Sequence, residues 1–422
     1  VRKRFAVVGA GIAGLGAARA LAGAHDVDVF EAGERAGGHV HTVDVRDDGG
    51  DVAVDMGFIV HNRDNYPRFC ALLDELGVAT RPTTMAFSVS LPADGVEWGS
   101  ASLSAMFADR RRLVDRRHWR FLVECIAFLR RARADLGGAL VARASLDDYL
   151  AARRVAGDVR DRFVVPLAAA LWSLAPAACG AFPAQTYLGF LAQHGMLRAT
   201  RPLAWRTIVG GSRVYVDALV AALRARPGFA LHARAPVTAI HRDARGATVV
   251  AAGKEHRVDR VVVATHADTA LALVAEPSEA EHRVLSAFRY SQNRTVLHRD
   301  RAALPRARAL HAAWNYVADP DDARVAVTYS MTRLQGLPGG DDAPYLVTLN
   351  PRRAHARALH ETWMSHPQLD RAALDAQAHL TGCGAAQRTY YAGAHAGFGF
   401  HEDGLRSGMA AAARALADEV AA

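Results

Sequence analysis

The chain has 422 residues, 51% of them hydrophobic and 22% charged, the balance of an ordinary folded protein with room for two or three domains. The net charge of +8 is almost wholly arginine, since Lys3 and Lys254 are the only lysines. No apolar stretch has the length of a membrane span, because the longest candidate, residues 164–182, is interrupted by Pro166 and Pro176.

The first element is an apolar run, Phe5-Ala6-Val7-Val8, followed by Gly9-Ala10-Gly11-Ile12-Ala13-Gly14 and a predicted helix from about Gly14 to Leu21. A second apolar run, Val27-Asp28-Val29-Phe30, closes on Glu31, 17 residues beyond Gly14. This is a dinucleotide fingerprint with its full context of strand, helix and acid. Gly9 makes the turn, Gly11 lets the backbone approach a pyrophosphate, and Gly14 lets helix and strand pack closely. Glu31 is placed to bind ribose hydroxyls, and the helix N-terminus, with free N–H groups and a favourable dipole, takes the pyrophosphate. A strand beginning by Phe5 leaves no room for a signal peptide, so a cytoplasmic location is expected.

Next come Ala32-Gly33-Glu34-Arg35-Ala36-Gly37-Gly38-His39, a predicted hairpin, and the strand Val52 to Val60 containing Asp55-Met56-Gly57-Phe58-Ile59. A short strand pair is predicted at 86–89 and 96–98. The segment after it carries Arg110, Arg111, Arg112, Arg116, Arg117 and Arg120 with Trp119, Phe121 and Leu122 interleaved, on a helix continuing through Leu129. Such a face suits an anionic membrane surface. A solvated helix face with its apolar residues turned inward fits the same pattern, and no nucleic-acid partner is expected. Gly210-Gly211-Ser212 precedes a helix, Val237 to Ile240 reads as a strand, and the runs 247–251 and 257–264 form a hairpin about Gly253-Lys254. Further strands are expected at 295–298, 325–330 and 345–349, with a surface turn at 338–342 and a strand ending at Trp314-Asn315-Tyr316.

These motifs resemble those of the FAD-binding enzymes of the glutathione-reductase-like superfamily, in the branch of flavin amine oxidases and phytoene-type desaturases. There a second Gly-Gly follows the acid and an Asp-x-Gly strand runs under the flavin. The closing stretch agrees: Gly397-Phe398-Gly399-Phe400-His401-Glu402-Asp403-Gly404 looks like the Gly-aromatic-x-Glu motif that opens a helix facing the flavin. The resemblance implies FAD rather than NAD. It places Phe400 beside the ring, the backbone N–H of His401 at the pyrimidine edge and Glu402 at the acid position, with Val237 on the adenine side and Ala264 near the pyrophosphate. It also carries Gly9, Gly11, Ala13, Gly14, Glu31, Ala32, Arg35, Gly37, Gly38, His39, Met56, Gly57, Phe58 and Ile59 into the cofactor site. Noncovalent FAD is expected, since no Cys or His occupies an evident linking position. The implied fold is α/β, a glutathione-reductase-like FAD-binding Rossmann-type domain (1–66, 205–270 and 385–422) interleaved with an α+β substrate domain (67–204 and 271–384). Along the whole chain the sequence is similar to a bacterial group of predicted NAD/FAD-binding, amine-oxidase-like proteins.

FAD brings the chemistry, acceptance of a hydride from a C–H bond at N5, and the protein positions that carbon. Cys70, Cys125, Cys179 and Cys383 form no CxxC and no metal-like spacing, which argues against a disulfide reductase and against a metal site. No second GxGxxG provides for NADPH, and no hydroxylase-type Gly-Asp helix motif is recognisable. Most amine oxidases of the branch place a lysine near N5, whereas Tyr290 to Leu297 has none. His401 and His61 are the candidate acid or base. Asn62, Trp172, Asn315 and Phe400 are candidate substrate contacts. The bacterial group is commonly encoded beside methyltransferases similar to cyclopropane-fatty-acid synthases, which implies oxidation or desaturation of a modified fatty acyl chain against Phe58, Trp172, Phe182 and Phe190. An amine or amino-acid oxidase is the alternative, and a flavin sensor or complex subunit without turnover is a third reading.

Overall fold

A computed structural model describes residues 2–47, 50–197, 203–318, 326–355 and 358–420. Its nucleotide-binding sheet is fully parallel, in the order Phe229–His232, Asp26–Phe30, Arg4–Val8, Arg260–Val263, Thr389–Tyr391. The continuous apolar run Phe5–Val8 takes the central place because both of its faces are covered, which a parallel sheet requires. One face carries the helix Ile12–Leu21, and against this lies the C-terminal helix His401–Val420. Gly16, Gly404 and Gly408 permit that approach: a Cβ on Gly408 would strike the Ala13 carbonyl, and one on Gly16 would lie 2.7 Å from Leu405 Cδ1.

The predicted hairpin forms as Thr42–Asp47 and Gly50–Asp55. The run 257–264 divides at Asp259: Lys254–Val258 completes an antiparallel three-stranded sheet, while Arg260–Val263 enters the parallel one. A second layer is a mixed seven-stranded sheet, ordered Ala358–Gln368, Arg289–His298, Leu346–Leu349, Ala326–Ser330, Trp314–Val317, Phe87–Leu91, Val96–Gly99. Trp314 therefore begins its strand and does not end one, and Val325 lies outside the described residues. The strand Ala358–Gln368 was not expected. The arginine segment is two pieces, a 3-10 turn Arg110–Val114 and the helix Arg116–Asp135, separated at Asp115, whose carboxylate caps the second.

Core packing runs across the expected domain limits. Phe69, Cys70, Leu72 and Leu73, on the helix Pro67–Glu75, join the core of the parallel sheet and its helices. Val274, Val284, Leu285, Phe288, Ala373, Ala376 and Leu380 likewise pack on its other face with Ala6 and Val263. The part of the second block that builds the seven-stranded sheet runs from Arg289 to Gln368. No helix among the described residues is long and apolar enough to cross a membrane.

Candidate active site

Two glycine turns face one another at the N-terminus of the helix Ile12–Leu21. Gly9 has a positive φ of 96°, and a Cβ on Gly14 would collide with the Gly9 carbonyl, so the turn and the strand–helix approach both need glycine. Gly37 N–H donates to the Ala10 carbonyl (2.8 Å), and a Cβ on Gly38 would stand 3.2 Å from the Cα of Gly11. Bare backbone thus lines both sides of a space into which first-turn N–H groups without helical acceptors point, as a pyrophosphate needs. Glu31 is held beside it, accepting from Ala10 N (2.9 Å) and Gly33 N (2.8 Å). A cleft of about 220 Å³ lined by Glu31, Arg35, Ala36, Gly38 and His41 continues outward past the exposed Ala32. Val237 starts a strand two residues beyond Ala235, whose N–H donates to the Glu31 carbonyl, and the Ala264 carbonyl lies 3.0 Å from a Cβ built on Gly9. Ala13 is buried in the first helical turn. The residues present fit a dinucleotide of FAD type.

At the other end of the cradle the unexpected strand Ala358–Gln368 meets three motifs. Met364 Cε lies 3.2 Å from a Cβ built on Gly57, the Ser365 carbonyl accepts from His39 Nε2 (2.9 Å), and Pro367 Cγ lies 3.2 Å from a Cβ built on Gly399. The Asp-x-Gly strand end, the Gly-Gly turn and the C-terminal motif converge there. His39 retains solvent contact although protein surrounds it, as a residue lining a deep cleft does, and burial depresses its pKa. His366 and His266 complete a histidine group: the His39 ring lies 5.9 Å from that of His366 and 6.1 Å from that of His266.

Met56 is buried and Ile59 hands its carbonyl to Thr207 Oγ1, while Phe58 N–H donates to the His39 carbonyl. Asp55 is a buried node that accepts from Thr42, Ser212 and Gln335; burial is the largest influence on it, pushing its pKa up to about 6 against those donors.

The two candidate acid–base residues do not line the cleft with their side chains. His401 opens the C-terminal helix, its ring stacked on Phe58 (3.8 Å) and edge-on to Phe69, with Nε2 2.6 Å from the Tyr215 hydroxyl. Burial pushes it down to about 3, with His39 and His61 adding to the effect. His61 is 2% exposed, its Nδ1 3.4 Å from Cys70 Sγ, and burial takes it down to about 4. Both rings pack among aromatic side chains; His401 Nε2 is partnered by Tyr215, whereas the buried His61 Nε2 has no partner among the described residues.

Three further candidates are engaged by the protein, Asn62 only in part, since its buried Nδ2 has no partner among the described residues. Asn315 is fully buried and spends its amide on Ala312 N–H, Ser88, and the Ala312 and Thr328 carbonyls, leaving nothing for a substrate. Asn62 turns the chain into the helix Pro67–Glu75 by accepting from Asn65 N–H (2.9 Å). Glu402 accepts from Arg68 N (3.1 Å) and Phe69 N (3.0 Å), capping that helix instead of reaching a ligand. Trp172 is buried against Phe182 and Phe190 and donates to the Phe398 carbonyl, and Phe400 stacks on Phe190 (4.8 Å). These two brace the aromatic wall beside the C-terminal motif.

Sequence reasoning missed His366 and did not use His39, Ser173 and Asn293 together. A signal existed in the two-residue alternation of His360, Thr362, Met364 and His366. It was obscured because this face is largely polar, with Met364 alone among these four residues joining an apolar core.

The fold is shared with solved flavoenzymes. Putrescine oxidase bound to putrescine is 17% identical with a TM-score of 0.70 and coverage of 100% of both chains. A CLA-producing fatty acid isomerase from P. acnes is 16% identical (TM-score 0.70, 98% of both chains), and cyclohexylamine oxidase from Brevibacterium oxydans IH-35A is 17% identical (0.69, 100% of both). No curated protein sequence matches significantly. The family model of flavin containing amine oxidoreductases matches residues 12–297, and the chain, an FAD-dependent oxidoreductase, belongs to that family.

Proposed function

We propose that the protein oxidises or desaturates an apolar substrate, a modified fatty acyl chain being the class that fits best, with noncovalently held FAD. When bound, FAD supplies the acceptor for a hydride removed from a substrate C–H bond. The observation that carries this reading is the aromatic packing beside the C-terminal motif. Phe398, Phe400, Trp172 and Phe190 form an apolar wall, and the polar groups that meet it are His39, His366, Ser173 and Asn293. A cationic amine gains from a free carboxylate, and Asp403, which stands beside this wall, is already engaged by Phe398 N–H, Phe400 N–H and Arg406; an acyl chain gains from apolar aromatic surface. The resemblance to a fatty acid isomerase is compatible with this, and the equal likeness to putrescine and cyclohexylamine oxidases keeps amines as the second reading. The aromatic wall excludes water and orients the chain, while His39 and His366 supply polar contacts at its end.

Anaerobic mixing with unsaturated or methyl-branched phospholipids, free fatty acids and an amine panel separates the two. Bleaching of the flavin band by acyl substrates is expected, and bleaching by an amine alone transfers the assignment.

A lipid substrate suits a peripheral contact with an anionic membrane. On the helix Arg116–Asp135, Trp119, Val123 and Ile126 are 48%, 62% and 46% exposed at i, i+4, i+7 spacing, with exposed Arg116 and Arg130 at the ends of the stripe. Arg111, Arg112 and Arg117 already pair with Asp109, Asp115 and Asp158, so the apolar stripe contributes more than the arginine count suggests. Replacing Trp119, Val123 and Ile126 with Gln is expected to lower binding to phosphatidylglycerol vesicles while leaving bound FAD unchanged. Unchanged vesicle binding returns the helix to a solvated face.

A further inference from the structure

The protonation pattern around His366 follows from hydrogen bonds that lead back to the main chain. Arg294 N–H, which can only donate, meets Asn350 Oδ1 at 3.1 Å, which fixes the orientation of that amide. Asn350 Nδ2 then donates to Asn293 Oδ1 (2.9 Å), and this fixes the second amide. Asn293 Nδ2, which can only donate, lies 3.2 Å from His366 Nδ1 and 3.2 and 3.3 Å from Ser291 Oγ and O, so one of its two hydrogens goes to Ser291 and we assign the other to the imidazole, whose Nδ1 the Ser173 hydroxyl also reaches at 2.9 Å. A ring nitrogen that accepts carries no proton, so in the neutral imidazole the hydrogen sits on Nε2. Burial keeps the ring neutral, pushing it down to about 3, with His39 and His266 adding to the effect.

Nε2 has no protein partner among the described residues, and the ring is only half-buried. Its surroundings identify the space it faces. Ser365 before it holds His39, Pro367 after it packs on Gly399, and Ser173 adjoins Trp172, which holds the Phe398 carbonyl. Ser173 is the left-handed C-cap residue of the helix Val165–Trp172 (φ 53°), its N–H bonded to the Ala169 carbonyl.

We propose that His366 is a tautomer-locked hydrogen-bond donor of the active site, presenting Nε2–H to an acceptor atom of the flavin ring or of the substrate lying against it. Asn293 and Ser173 are its positioning residues. The inference needs FAD in the cradle but not the acyl-chain reading. The family's lysine position is empty of lysine here, and a neutral N–H supplies polarity at this place without a fixed charge.

The test uses the FAD-loaded full-length protein with His366→Phe, His366→Gln, Asn293→Asp and Ser173→Ala. Asp at 293 accepts where Asn donated, so it turns the imidazole proton to Nδ1 and removes the Nε2–H without changing residue 366. Absorbance, midpoint potential and FAD stoichiometry are measured, with nitrogen-15 histidine NMR and titration with benzoate, a small apolar carboxylate. The wild type is expected to show the His366 proton on Nε2, and Asn293→Asp to move it. If the acceptor belongs to the flavin, His366→Phe and Asn293→Asp shift the visible band and lower the potential with no added ligand, while His366→Gln restores part of both. If it belongs to the substrate, the flavin spectrum and potential stay as in wild type and benzoate affinity falls roughly tenfold in the same two variants, the loss of one hydrogen bond. Should benzoate leave the wild type unperturbed, the flavin readouts alone decide. A proton on Nδ1 in the wild type overturns the lock. Spectrum, potential and benzoate response unchanged in variants that retain FAD overturn the proposal, and Asn293→Asp and Ser173→Ala keep it testable if His366→Phe does not fold.

Discussion

The two ends of the cofactor cradle are built from different materials. The pyrophosphate end is backbone: Gly9, Gly11, Gly14, Gly37 and Gly38 act by having no side chain, and two turns within the first forty residues bring them together. The flavin end is side chain: His39, Ser173, Asn293 and His366 come from four separated stretches and meet only because the strand Ala358–Gln368 pairs with Arg289–His298. Local backbone geometry tolerates almost no substitution, because a Cβ on Gly9, Gly14 or Gly37 would press on a neighbouring carbonyl and Gly9, Gly37 and Gly38 have positive φ. The side-chain cluster can vary with the reaction while the cradle stays the same.

The largest expected effect tests the backbone end. Gly11→Asp puts a side chain and a negative charge into the gap facing Gly38, and is expected to abolish FAD binding while the sheet still folds. Release of flavin from the purified variant at wild-type stoichiometry would show that the two turns are not the cradle. Next is removal of the chain from Ala392 onward. Gly404 and Gly408 pack the C-terminal helix on Ile12 and Ala13, so the truncated protein is expected to lose FAD although the N-terminal fingerprint survives. Retained affinity would make the N-terminal region sufficient and the interleaving unnecessary.

A third experiment addresses the histidines. Burial lowers His61 to about 4 and His395 and His401 to about 3, below the ordinary 6.5, so the folded protein resists protonation that the unfolded chain accepts. Their contribution is therefore complete above pH 6.5 and is lost as pH falls from there toward 3 to 4, by up to about 1.4 kcal/mol per pH unit for each residue. Thermal melting is expected to drop steeply between pH 6.5 and 5 and to be flat from 7 to 8. A flat profile down to pH 5 would mean that these rings are solvated. The smallest effect separates packing from chemistry: Tyr215→Phe removes the 2.6 Å contact to His401 and is expected to cost about 1 kcal/mol of stability with turnover unchanged. A large fall in turnover with stability intact would restore His401 to the reaction.

The cradle was legible because each of its parts is contiguous. Strand, glycine turn, helix and acid follow in order from Phe5 to Glu31, and the hairpin and Asp-x-Gly strand come directly after. Which way the polar candidates face was not legible for one reason. A polar residue beside a cofactor motif reads the same whether it faces the ligand or, as Glu402, Asn62 and His401 do, caps a helix, turns the chain or fills an aromatic core. The core that Phe69 and Leu285 join was hidden similarly, since each looks like any helical core residue until the partner surface is known.

By itself the sequence determined the dinucleotide-binding half, because the tight turns and close backbone approaches that hold a pyrophosphate demand glycine at set short spacings, while FAD rather than NAD was implied by the resemblance of the motifs to a flavoenzyme family. Only the tertiary structure decided which polar groups meet the reacting end. His366 lies 327 residues from His39 in the chain, and its proton position depends on Asn293 and Asn350 in neighbouring strands. Long-range strand pairing creates that juxtaposition, and no local pattern of residues encodes it.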